Sequence, residues 1–502
     1  MTKTLLLACV LLTSATSAFA ADESTAVPEG TLYENVYSSS DRTFMVSQGG
    51  LGSFTDNAGY NTRIVINGNK IYIHNIITEY NGLDAWIEGE ITGGIAQFAM
   101  PQKIGTDKNN NAPLYIDVLK PVESLSSVTL SHDTENPMLK MSWDGKKLTQ
   151  IRPGTSTGDL ARYDGMVGLV NEEGHFLSYG EAGLSYTIWD KTPAVPSSEL
   201  TTASYTAFYK DQWNDNAQTY TSIAIDGNTA WIQGLCYYLP NSWVKGTLSD
   251  DGNAITIDSD QYLGLYNNYF IFLYAADATG KTAGQEFAWK DNATLTKSGD
   301  DWEANGELMV NLGETRPWFG YGIKGLVLTK DLETDPVPAN PQWGAPEWSD
   351  TDGMGAADFE IPATDINGQA LDTEKLYYRL YFDGELQNPS APDFKYGEYV
   401  EYDNGMVFFD YGWHCVAFFA PLKTLGVQSV YKPGDKEFTS DIVTYKFNDS
   451  SVNGITGDSK TILSVEYYNI SGQRLTYPEG FCIRQIRYTD GSTGCDKVII
   501  RK

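Results

Sequence analysis

Residues that could do chemistry are few in this 502-residue chain, and they are scattered. The four histidines, His74, His132, His175 and His414, form neither an HExxH nor a pair at i and i+4. The spacing that brings two imidazoles onto one zinc is therefore missing. His74 and His414 lie in apolar strand-like runs and His132 and His175 in polar turns, so surface or satisfied core imidazoles are expected. Cys236, Cys415, Cys482 and Cys495 make no CxxC pair. A hairpin turning at Asp490–Thr493 would not set Cys482 opposite Cys495, so buried or free thiols are expected. No G-x-S-x-G elbow, GxGxxG or phosphate loop occurs. Asp358 with Glu360, or Glu398 with Glu401, could face one another across strands, as two-carboxylate glycoside hydrolysis requires. With 65 acidic residues such pairs arise by chance, and solvated strand faces explain them. The acidic run Ser349–Glu360 fails as a calcium loop, because counting from Asp350 puts Gly353 at position 4 and Met354 at position 5. No metal and no cofactor is expected.

Aromatic rings beside turns are the stronger lead. Tyr237, Tyr238, Tyr262, Tyr266, Tyr269, Trp343 and Trp348 all flank turns, Tyr266 and Tyr269 on either side of Asn267-Asn268. Rings held so can stack on sugars while Asn and Asp bond the hydroxyls. The competing reading makes them core or strand-pair rings, which strands commonly carry.

The elements that must position these rings are strands. Short runs rich in Tyr, Val, Ile, Thr and Trp alternate with Gly, Asn and Asp turns, and helical periodicity is missing, so the chain is all-β. It contains a duplication. Ile64–Gly105 reads "IVINGNKIYIHNI", "DAWIEGEI", "QKIG", and Ile223–Gly264 reads "IAIDGNTAWIQGL", "NSWVKGTL", "QYLG". Asn67-Gly68 matches Asp226-Gly227, Trp86 matches Trp243 and Gly89 matches Gly246, at an offset of about 159 residues. The Asn-Gly and Asp-Gly pairs predict type I′ hairpin turns. A meander of eight to ten strands in each copy must hide two edges, by closing into a barrel or folding into a sandwich.

The predicted organisation is a leader over 1–20, barrel-like repeats over 27–193 and 198–333, and a Pro-rich linker over 334–348. A β-sandwich over 349–447, a second linker over 448–460 and a small β tail over 461–502 follow. The leader joins Lys3, a short apolar run and Ala18-Phe19-Ala20, the pattern of a cleaved secretory signal peptide. No later apolar run is long enough for a membrane-spanning helix. A formal charge of −30 repels phosphate backbones, so no nucleic-acid partner is expected.

Three resemblances add to this reading. Strand order in each repeat resembles lipocalin-like barrels in architecture, without their Gly-x-Trp opening, which implies an interior that could carry a small apolar ligand. Leu376–Gly384, "LYYRLYFDG", resembles the middle strand and turn of fibronectin type III modules. The end of the chain, with Tyr468, Asn469, Gly472, Arg474, Pro478 and Gly480, resembles the C-terminal sorting domains of type IX secretion cargo. Only the last part of such a domain is recognisable, and Cys482 stands where an aromatic is usual. That resemblance implies recognition by an export machinery and a cell-surface destination.

Together these features predict a secreted or cell-surface, non-enzymatic β-protein that binds a glycan or another extracellular macromolecule. The alternatives are a secreted glycoside hydrolase using carboxylates not yet singled out, and a barrel carrying a small apolar ligand.

Overall fold

The computed structural model describes residues 19–20, 26–47, 50–54, 59–77, 84–107, 112–123, 128–156, 158–197, 200–283, 285–313, 320–344, 347–349, 354–402, 405–410, 412–419, 422–446, 462–468, 474–475, 480–488 and 493–500. Residues 1–18 of the leader and the 448–460 linker lie outside them. The described chain is all-β, and it holds no helix long and apolar enough to cross a membrane.

Each repeat closes on itself. In the first, Thr31–Ser39, Tyr60–Asn67, Lys70–His74, Trp86–Thr92, Ile95–Ala99, Met138–Trp143, Lys147–Gln150 and Ser185–Ile188 pair in turn, each antiparallel to the next. Ser185–Ile188 then returns to Thr31–Ser39 and completes a ring of eight. The second ring runs through Thr202–Lys210, Asn216–Asp226, Thr229–Gln233, Trp243–Leu248, Ala254–Asp258, Asn292–Ser298, Asp301–Asn305 and Tyr321–Lys330. It closes where Tyr321–Lys330 meets Thr202–Lys210. Closure leaves neither ring an open edge.

The chain is not a simple meander, however. After the fifth and seventh strands of each barrel it leaves the ring to build a side sheet before rejoining. In the first repeat that sheet orders Gln102–Asp107, Pro113–Glu123, Met166–Val170 and Phe176–Ala182. In the second the same order is Gln261–Tyr266, Tyr269–Asp277, Glu307–Leu312 and the start of Tyr321–Lys330. The first sheet gains the hairpin Arg42–Ser47 and Gly50–Phe54. One pairing, Tyr60 opposite Tyr269, links the first barrel to the second side sheet.

Packing explains why particular residues recur. An eight-stranded ring leaves an interior that side chains can fill. Alternating positions supply the filling: Ile71, Ile73, Ile87, Ala96 and Phe98 in the first, Ala230, Ile232, Val244, Ile255 and Ile257 in the second, all buried. Volumes trade across the copies, for Ile71 and Ala96 stand where Ala230 and Ile255 stand later. The matched glycines make room for the neighbouring strand. A Cβ on Gly89 would lie 2.6 Å from the Phe98 ring, and one on Gly246 would lie 2.5 Å from Ile255 Cγ2.

The recurring glutamine marks the chain's exit from the ring. Gln102 Oε1 accepts from the Glu88 N–H at 2.8 Å, and its amide donates to the Glu88 and Ala99 carbonyls. Gln261 repeats this with the Lys245 N–H and the Lys245 and Asp258 carbonyls, each at 2.8 Å. The hairpins expected to be type I′ differ. Asn67 pairs with Lys70, so the loop is Gly68-Asn69, with positive φ at Gly68 alone. That is the pattern of a type II′ turn, and Gly227-Asn228 repeats it between Asp226 and Thr229. Asn-Gly marked a hairpin correctly, but the register shifted the turn by one residue.

The third region packs two sheets. One orders Gln342–Trp343, Met354–Glu360, Trp413–Phe418, Gly405–Asp410 and Val400–Tyr402; the other centres on Leu376–Phe382 and Thr424–Tyr431. Phe359, Tyr378 and His414 meet between the sheets, with Tyr378 5.4 Å from Phe359 and 4.9 Å from His414. The expected linker is partly structural here: Gln342–Trp343 and Glu347–Ser349 both pair with Met354–Glu360. Thr206 joins this region to the second barrel, its hydroxyl accepting from the Ala370 N–H and donating to Asp331.

The tail belongs to a second compact unit, with Tyr381–Glu385 and Pro421–Gly426. Its strands Ile462–Tyr468, Arg474–Leu475, Gly480–Tyr488 and Thr493–Ile500 form one antiparallel sheet. Register places Cys482 opposite Val498 and Cys495 opposite Gln485, so the two cysteines do not face each other.

Candidate functional site

The aromatic lead gathers at one loop of the second barrel. Beyond Gln233 the chain must leave the ring, and Gly234 makes the bend at φ +92°, where a Cβ would lie 2.1 Å from the Tyr220 carbonyl oxygen. No larger residue fits. Leu235 and Cys236 then turn inward and anchor the loop, and burial pushes the Cys236 thiol up to about 11. That keeps it protonated and a poor nucleophile. Tyr237 emerges beyond it, 67% exposed.

Its ring lies on that of Tyr321, 4.7 Å between centroids and 10° apart in plane. The Tyr321 hydroxyl lies 2.8 Å from that of Tyr209, which fixes the supporting ring. Tyr238 turns edge-on to Tyr237 at 5.5 Å and meets Tyr266 at 5.4 Å. Burial raises the Tyr238 hydroxyl to about 12, so it stays a neutral hydrogen-bonding group. Tyr266 arrives on the hairpin turning at Asn267-Asn268, where both φ values are positive, 46° and 67°. Type I′ geometry, expected elsewhere, occurs here.

A cleft of about 490 Å³ opens beside Tyr238, walled by Pro193, Val195, Trp243, Leu263 and Leu265. Asn241 and Ser242 add polar edges, and Glu374 contributes the cleft's charge while bonding Lys395 at 3.0 Å. The wall contains no lysine or arginine. It offers flat rings, hydroxyls, an amide and a carboxylate, a set suited to an uncharged polar ligand with an apolar face.

Other expected rings lie elsewhere. Tyr262 is packed with Trp189, Phe270 and Phe272 at 5.2 to 5.7 Å, which makes it a core ring. Tyr269 is occupied by Tyr60, 4.5 Å away with the hydroxyls 3.0 Å apart. Trp343 packs on Phe359, and its indole N–H donates to the Val443 carbonyl at 3.1 Å. Trp348 lies in the strand Glu347–Ser349, its side chain outside the described residues. Of the tail motif, Tyr468, Arg474 and Gly480 lie on strands, Tyr468 opposite Arg474, and Asn469, Gly472 and Pro478 lie outside the described residues. Tyr321, Tyr209 and the Pro193–Val195 wall were not anticipated, and only the frequency of Tyr beside strand ends hinted at them.

The titratable groups do not assemble around this cleft. His74 Nε2 lies 2.8 Å from Asp84 and 2.9 Å from Arg63, with burial holding the imidazole below its usual pKa. His132 Nδ1 lies 2.8 Å from the buried Asp117, whose carboxyl burial raises while the His132 bond opposes the rise. His414 is enclosed by aromatic rings, and burial lowers it to about 4. Among the described residues no three His, Cys, Asp or Glu side chains converge as a metal site. Asp358 and Glu360 share one strand, and Glu398 lies in the loop just before the strand Val400–Tyr402 that holds Glu401, so neither pair faces across strands. Comparison with family models, curated proteins and solved structures finds no match for this chain.

Proposed function

We propose that this chain is a secreted or cell-surface, non-enzymatic β-protein that binds an uncharged glycan at the tyrosine cleft of its second barrel. The observation that carries the reading is Tyr237, largely exposed yet held flat on Tyr321 beside the cleft. An exposed ring normally costs entropy to immobilise on a ligand; this one is already held by its neighbour. The Glu374 carboxylate, a wall without lysine or arginine, and the acidic chain disfavour anionic sugars.

The carrier reading loses support because apolar side chains occupy both barrel interiors. Export rests on the leader pattern and on the order of Tyr468, Asn469, Gly472, Arg474, Pro478 and Gly480, which resembles sorting tails. The test is a glycan array probed with the mature protein and with Tyr237→Ala. Signals from neutral glycans that fade in the variant support the reading, and an array blank for both sinks it. For export, residues 462–502 fused to a passive reporter should reach the surface; retention in the periplasm would exclude it.

A further inference from the structure

We propose that the outward face of the third region's larger sheet is a second binding surface, shaped for a flat, uncharged polysaccharide chain. It stands on different residues from the cleft and does not depend on it. Along Trp413–Phe418 the burial alternates, so Trp413, Cys415 and Ala417 point away from the core. Register aligns the neighbouring strands with them: Phe408 lies opposite Cys415, Met406 opposite Ala417, and Asp358 opposite Cys415 on the other side. Tyr399 reaches the same row, its ring 5.3 Å from Phe408. Trp413 is 40% exposed, Phe408 44% and Tyr399 54%. Three large rings on one face of one sheet form a patch of the kind that marks an interaction site.

The relief of the face indicates what lies on it. Cys415, Ala417 and Ala356 are small and keep its centre low between the rings, so an extended ligand can cross the strands. Asp358, Glu360 and Glu401 lie on it as well, and among the described residues none of the three is in an ion pair. Glu401 accepts from the Tyr399 hydroxyl at 2.6 Å, which holds that ring in place. No lysine or arginine occurs in the strands Met354–Glu360, Val400–Tyr402, Gly405–Asp410 or Trp413–Phe418. An apolar protein surface laid here would bury carboxylates without partners, at a desolvation cost. A polyanion would be repelled. A neutral polyol stacks its ring faces on the aromatics and donates its hydroxyls to the carboxylates, which satisfies both halves of the face.

The test is retention of the full mature chain on insoluble cellulose, chitin and β-1,3-glucan. Changing Phe408→Ala and Trp413→Ala together should lower affinity for at least one support about tenfold or more. Phe408→Tyr with Trp413→Tyr should restore it. Ala417→Arg, which leaves every ring in place but fills the low centre, should lower it likewise, so the result does not hang on the fold of one variant. A Tyr237→Ala chain that keeps retention until Phe408 and Trp413 are lost separates this face from the cleft. The proposal is overturned if the wild type is retained on none of the three supports, or if retention ignores these substitutions. Polylysine capture that depends on Phe408 and Trp413, without polysaccharide binding, would assign the face to a basic protein and overturn it equally.

Discussion

Tyr237 and Tyr321, one on a loop and one at the start of a barrel-closing strand, stack with centroids 4.7 Å apart and planes within 10°. The exposed ring thereby gains a rigid backing. The Tyr209 hydroxyl steadies that backing at 2.8 Å from Tyr321. A ring so placed keeps one face for solvent or a ligand.

Tyr237→Ala should therefore weaken binding of the array-identified glycan about tenfold, close to the loss of a single stacking anchor. The melting temperature should hardly change, because Tyr237 is mostly solvated. Isothermal titration calorimetry with parallel melts checks both. Equal affinity for variant and wild type would move the site away from this ring.

Gly89→Ala and Gly246→Ala should each destabilise their barrel by about 1–3 kcal/mol, the usual range for overpacking a filled core. Each new methyl would meet a side chain well inside contact distance, Phe98 in one copy and Ile255 in the other. Gly89 has the backbone carbonyl of Gln97 at 2.8 Å as well, which cannot swing aside, so its cost should be the larger. Urea melts of the two variants would show the order.

Gln261→Ala removes three bonds to main-chain groups of Lys245 and Asp258. A loss of about 1–2 kcal/mol is expected, since the freed groups are partly reached by water. Gln102→Ala should cost a similar amount if the two copies use the residue alike. Hydrogen exchange at the Lys245 and Glu88 amides would report each loss locally.

His414 gives a pH dependence with a definite sign. Its ring lies 5.2 Å from Phe359 and 4.7 Å from Phe409 with no exposed surface, and burial lowers it from 6.5 to about 4. Between those values the unfolded chain binds a proton that the folded chain refuses, so stability falls as pH falls from about 6.5 towards about 4. The full effect is about 3 kcal/mol. Denaturant melts at stepped pH should show it for the wild type, and His414→Phe should flatten this part of the profile. An unchanged slope in that variant would mean that other groups carry it.

The duplication was legible because the residues that repeat are those with little freedom. Gly89 and Gly246 have no room for a Cβ, and Gln102 and Gln261 cap the same strand gap. Alternation of apolar and polar positions likewise announced the strands, and the need to hide two edges left a closed barrel or a two-sheet sandwich, of which the barrel is the one formed. The side sheets were not legible as such, since a strand that leaves the ring has the same alternation as one that stays. Tyr321 carries no signal in the sequence because its partner is distant along the chain, and side-chain contacts across a barrel leave no local pattern. Tyr262 and Tyr269 looked like Tyr237 in sequence; only tertiary packing separates a ring set against Phe272 from one facing water.

The departures after the fifth and seventh strands of each ring have a consequence for how such a chain can vary. Both leave from one strand and rejoin at its immediate neighbour, as Ile95–Ala99 and Met138–Trp143 show in one copy and Ala254–Asp258 and Asn292–Ser298 in the other. The closed staves are joined to each other with or without the intervening segment, so its length is free to drift, while its apolar face, Ile116 and Val118 in one copy and Ile271 and Leu273 in the other, must still fit the core it shares with the barrel. Each barrel then serves as a socket and the side sheet as an interchangeable fitting, and grafting one copy's fitting into the other's socket should yield a chain that still closes.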